Sequence, residues 1–140
     1  MTTQSAVKQD VQEENDSTSP VVRLEPSGPT GIGMRPTDYV TPETIIEGDP
    51  KEVGFNFFAN KTGDMSAGVW EVSAYKERME NYPVDEFCYV LEGRLIITPD
   101  GGPPQEFKQG DAFVLRRGTS GVWDVPETFK KYYVIVEPKE

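Results

Sequence analysis

Apolar residues in this chain alternate with polar ones in short runs, and no segment longer than a few residues shows helical spacing. The segments VGFNFFAN (53–60), MSAGVWEVSAYKERM (65–79) and EFCYVLEGRLIIT (86–98) are rich in β-branched and aromatic residues. So are DAFVLRRG (111–118), SGVWDV (120–125) and FKKYYVIVE (129–137). Turn residues separate them: Lys61-Thr62-Gly63-Asp64, Pro99 to Pro103, Gln109-Gly110-Asp111 and Pro126-Glu127. Short strands at such intervals predict an all-β sandwich or barrel. Asp100-Gly101 is a strong hairpin signal. Alternation sets Glu86, Cys88 and Val90 on one face of their strand, and Phe87, Tyr89 and Leu91 on the other. Both faces are largely apolar, so the strand is expected to be covered on both sides. Either a second subunit, giving a homodimer, or the N-terminal connector supplies the outer cover.

The amino-terminal end has a different texture. Residues 1–20 are polar, carry two isolated valines and no aromatic, and read as a disordered arm. Residues 21–38 form an extended, Gly/Pro-rich connector with a possible short strand at VVRL (21–24), and residues 39–140 a single domain. A chain of 140 residues has room for one such core. The net charge of −10 argues against nucleic acid or an anionic membrane surface as partner. The lone Cys88 excludes an internal disulfide and a multi-cysteine zinc site. With no transmembrane run and no secretory h-region, a cytoplasmic protein is expected.

The blocks DEFCYVLEGRLIIT, FKQGDAFVLRRG and VWDVPETFKKYY resemble the two motifs of the cupin superfamily, over residues 48–137. The run from Tyr82 to Gly93, with Trp123-Asp124-Val125, Lys131 and Tyr133, looks more narrowly like the small ureidoglycine aminohydrolase-type cupins. The resemblance implies a jelly-roll barrel, the double-stranded β-helix. A metal-dependent cupin supplies two histidines and a carboxylate from the first motif and a histidine from the second. Glu86 matches the carboxylate, while Tyr82 and Glu80 stand at the histidine positions of the first motif. Gly118 matches the second motif's glycine, with Gly121 where its histidine belongs and Arg116 replacing the proline before the glycine. The chain contains no histidine at all.

Only oxygen ligands are left, and these suit Mg²⁺, Mn²⁺ or Ca²⁺. If any metal binds, Glu80 and Glu86 are the candidates; no cofactor is expected. Without imidazole, Glu86 is the candidate acid/base, because a carboxylate on an apolar inward face must be paired, with Lys131 or Arg116 as partner. Cys88 reads either as a small buried hydrophobe or as a thiolate beside Lys131. Trp123 and Tyr133 either fill the core or wall a planar ligand. Of Arg116 and Arg117 at most one points inward; the pair either recognises a carboxylate or is solvated at a strand end. The expected function is binding of a small polar, amino- or ureido-type ligand among Tyr82, Glu86, Cys88, Arg116, Trp123, Lys131 and Tyr133. An aminohydrolase-like enzyme releasing ammonia and a non-catalytic interaction module are the alternatives.

Overall fold

The structure, a computed structural model, describes residues 19–138. The expected N-terminal arm therefore lies outside the described residues, except for its last two. Strands β1 (Arg35–Pro36), β2 (Ile45–Gly48), β3 (Glu52–Ala59), β4 (Met65–Val72), β5 (Tyr75–Met79) and β6 (Asp85–Glu92) come first. They are followed by β7 (Arg94–Pro99), β8 (Gln105–Lys108), β9 (Ala112–Leu115), β10 (Gly121–Val125) and β11 (Phe129–Val136). These form two antiparallel sheets, one in the order β1-β3-β4-β11-β6-β9 and the other β2-β5-β10-β7-β8. The chain changes sheet at almost every corner, which makes a jelly roll.

Two of the corners fall inside segments that read as continuous strands. The 65–79 segment breaks at Ser73-Ala74 and continues in the other sheet as β5. The 86–98 segment breaks at Gly93, whose φ of 78° and contact with the Thr128 carbonyl leave no room for a Cβ. At both corners the inward positions slip by one residue, from Trp70 and Val72 to Tyr75 and Met79 and from Cys88 and Val90 to Leu95 and Ile97. An alternation carried straight through the corner therefore assigns the wrong face beyond it. The Asp100-Gly101 hairpin forms between β7 and β8, with Gly101 at φ 79° and the Gly102 N–H donating to the Pro99 carbonyl at 3.0 Å.

The main core lies between the sheets and includes Trp70, Tyr75, Leu95, Trp123 and Phe129, none more than 3% exposed. A second cluster, Phe55, Phe57 and Val69, sits on the outer face of the six-stranded sheet. Val22, Leu24 and Met34 of the connector pack on it together with Leu91 and Tyr132, and the Tyr132 hydroxyl donates to the Leu24 carbonyl at 3.1 Å. The connector's strand is thus not VVRL, as expected, but Arg35–Pro36, which pairs with β3. Val22 and Leu24 engage the sheet's face through their side chains, so their backbone never reaches an edge to pair with. The cover stops short of Phe87, Tyr89, Val114 and Val136, which remain exposed.

Candidate functional site

Strand β6 faces as its alternation predicts. Glu86 and Cys88 are fully buried, while Phe87 and Tyr89 are 43% and 39% exposed. Strand β11 lies beside it, with Lys131 opposite Val90, Tyr133 opposite Cys88 and Ile135 opposite Glu86. A register shift between Lys130 and Lys131 accompanies the inward turn of the Lys131 side chain. Its Nζ lies 2.6 Å from Oε2 of Glu86, with both side chains 1% exposed. The other carboxylate oxygen accepts the Tyr82 hydroxyl, and the Cys88 Sγ lies 3.5 Å from Oε2. The ammonium also sits 5.2 Å from the ring centre of Trp70 and 4.9 Å from that of Trp123. Lys131 is therefore held by one carboxylate and two indole faces.

The electrostatics follow from the burial. Desolvation alone would lower the Lys131 pKa, but the Cys88 and Glu86 groups against it reverse that and raise it, so the ammonium keeps its proton. Burial, reinforced by the Glu86 charge, pushes the Cys88 thiol and the Tyr82 phenol well up. Cys88 is thus a thiol at neutral pH rather than a nucleophilic thiolate.

Sequence reasoning missed a second buried carboxyl. Glu77 is 1% exposed, accepts the Tyr75 hydroxyl at 2.8 Å and faces inward across from Trp123. Burial raises its pKa to about 7, against the lowering effect of the Tyr75 bond. The signal was present in YKERM, where alternation sets Glu77 between the inward Tyr75 and Met79. Glu52, also missed, accepts the Trp70 indole N–H at 2.9 Å, the Thr37 hydroxyl and the backbone N–H groups of Tyr39 and Val40.

Not every candidate joins the cluster. Tyr133 commits its hydroxyl to Oδ1 of Asn56 at 3.0 Å, across Gly68, where any Cβ would strike the tyrosine ring. Arg116 and Arg117 are both exposed, so neither partners Glu86. Glu80 is exposed on an Arg78 ion pair at 2.8 Å, so the two carboxylates proposed for a metal do not converge. Among the described residues no group of three or more Cys, Asp or Glu side chains is arranged to hold a metal ion. A divalent cation at Glu86 would have to displace the Lys131 ammonium, and the residues present do not fit one.

Among the described residues, the buried polar atoms Trp123 Nε1, Asn56 Nδ2 and Ser66 Oγ have no protein partner. Surface cavities among the described residues include one around Gly28, one around Lys76 and one beside Phe107 and Arg116, the last about 330 Å³. Glu86 and Lys131 line none of these three.

A family model described as the EutQ-like cupin domain matches residues 59–133, more than half of the chain. The chain belongs to this family. Among solved structures, a DUF861-family protein of unknown function from Pseudomonas syringae is similar at a TM-score of 0.72 and 19% identity. That match covers 81% of this chain and 46% of the Pseudomonas protein, so the cupin spans about half the length of that relative. An ethanolamine utilization protein Q from Salmonella typhimurium follows at TM-score 0.54 and 22% identity, over 64% of this chain and 72% of that one. The EutQ protein of Clostridium difficile is similar at 0.55 and 19%, over 65% and 66%. Identities this low show the fold alone. No curated protein matches the chain by sequence. No helix among the described residues is long and apolar enough to cross a membrane.

Proposed function

We propose that this EutQ-like cupin is a non-catalytic module whose barrel is closed around a built-in cation. The observation that carries the reading is the 2.6 Å Lys131–Glu86 contact inside a barrel where both residues are fully buried. Glu86 stands where a metal-dependent cupin supplies its carboxylate, and the ammonium takes the charge that an ion would bring. Two indoles complete the enclosure and keep water out. Elemental analysis of purified protein, with melting curves in Mn²⁺, Mg²⁺ and Ca²⁺, tests this. Less than stoichiometric metal and an unchanged melting temperature are expected; stoichiometric metal bound through Glu86 would overturn it.

The unpartnered donors favour a second reading, in which the barrel takes a small polar ligand with hydrogen-bond acceptors. Trp123, Tyr82, Glu86, Cys88, Lys131 and Tyr133 would surround it, with Arg116 left outside. Native mass spectrometry of gently purified protein, in which a bound ligand adds mass that W123F loses, separates the two readings. The enzymatic version of this site, a ureidoglycine aminohydrolase-like reaction, assigns acid/base work to Glu86 beside the proton-bearing Lys131. It requires ammonia release from a ureido substrate that E86Q abolishes. A cytoplasmic setting suits all three, since the free thiol of Cys88 is kept reduced there.

A further inference from the structure

We propose that the slot between the free edges of β8 and β9 binds a small monocarboxylate with a flat apolar body, such as an arylacetate. Strand β9 ends the six-stranded sheet, β8 ends the five-stranded one, and the turn at 109–111 joins them. Near that turn the Phe107 and Phe113 rings meet edge-on across the gap, with centres 4.3 Å apart and planes at 72°. Beyond the rings, toward Gln105 and Arg116, lies the cavity of about 330 Å³. Ile97 and Leu115, 6% and 5% exposed, also line it. Leu115 lies opposite Glu86 and Ile97 opposite Trp123, so the slot runs alongside the buried pair without including it. A volume at the lower end of the ligand-pocket range calls for a small occupant. Walls of two phenyl rings and two aliphatic side chains call for a flat, apolar one.

The mouth supplies the charge. Arg116 is exposed there, and among the described residues its guanidinium meets no carboxylate. Arg78, by contrast, is held by Asp100 and Glu80, and Arg94 by Glu106. A planar guanidinium left unspent beside an apolar cavity matches the two oxygens of a carboxylate. The sheet edge adds a second donor. Val90 accepts from the Gly110 N–H and donates to the Asp111 carbonyl, each at 2.9 Å. In antiparallel alternation Cys88 and Glu86 then bond to Phe113 and Leu115, leaving the N–H and C=O of Val114 on the open edge beside the slot. One arginine in a chain of net charge −10 favours a single negative charge over a multiply charged anion. Arg116 therefore serves a site of its own rather than the barrel interior, and this holds whether the barrel is closed or takes a ligand.

Titration of the full chain with phenylacetate, followed by amide chemical shifts in two-dimensional NMR, tests the proposal. Saturable shifts are expected at 97–99, 105–107 and 113–119. Gln105 lies opposite Ile97 and so shares its face, and Q105W should fill the slot and abolish the shifts. R116Q should weaken binding ~10-fold or more, and phenethyl alcohol, which keeps the ring but not the charge, should bind the wild type as weakly. W123F, an interior change, should leave the affinity for phenylacetate as it is. Shifts that never saturate overturn the proposal. So do shifts centred on Tyr82 and Lys131, a loss of binding in W123F, or equal binding of phenylacetate and phenethyl alcohol. Binding that R116Q leaves unchanged overturns it even where Q105W fails to fold.

Discussion

The two faces of β6 invert the usual arrangement of a sheet. The inner face carries the charged Glu86 beside Cys88 and Val90, all fully buried, and the outer face carries Phe87 and Tyr89 in the open. An ordinary solvated sheet places charge outward and aromatics inward. Each half of the inversion needs its own explanation. Inside, a buried carboxylate is tolerable only because Lys131, Tyr82 and the two indoles meet it. Outside, exposed aromatic surface is tolerable only where something else comes to cover it. The comparison separates residues that hold the barrel together from residues that present it.

The largest effect should come from breaking the inner pair. K131M removes the ammonium that meets Glu86 Oε2 and leaves the carboxylate buried without it, at a cost of about 3–5 kcal/mol in urea unfolding. The double variant K131M/E86L replaces the pair with apolar side chains and should recover most of that loss. If K131M alone costs under ~1 kcal/mol, Glu86 is not held as the structure implies.

How far the sequence reveals this arrangement depends on what alternation can encode. Period-two patterning identifies the all-β barrel and the inward set Glu86, Cys88 and Val90, because each depends only on neighbours along one strand. The pairing of Glu86 with Lys131 bridges strands 45 residues apart, and only the need to compensate a buried charge pointed to it. Glu77 went unread because β5 and β4 merge into one segment across the Ser73-Ala74 corner. Arg116 and Glu80 were misplaced as site residues for a different reason. Motif spacing carries no information on where a strand ends, and both lie just beyond strand ends, where alternation lapses. The connector's side-chain packing leaves no periodic trace at all.

The next effect is a pH dependence from Glu77, on the inner face of the opposite sheet. Its pKa of about 7 in the folded state lies above the unfolded reference of 4.5. The folded state therefore binds more protons between those values, and the stability this contributes is complete below pH 4.5. It is lost as the pH rises to 7, a change of about 3 kcal/mol at most. E77Q, neutral at every pH and still able to accept from Tyr75, should abolish this slope. Melting curves from pH 4.5 to 8 should show E77Q gaining on the wild type as the pH rises. Parallel curves would mean that Glu77 is ionised and paired throughout.

The smallest effect sharpens the contrast within the outer face itself. Leu24 lies in the half that the connector closes, packed with Phe55, Phe57 and Val69, whereas Val114 lies in the open half at 61% exposure. L24A should cost about 1–2 kcal/mol, because it strips apolar contact from a partly buried cluster. V114S should stay within about 0.5 kcal/mol, because it removes a side chain that water already reaches. Chemical denaturation of both variants measures this. A V114S cost as large as that of L24A would show that Val114 is covered in solution and that the two halves do not differ.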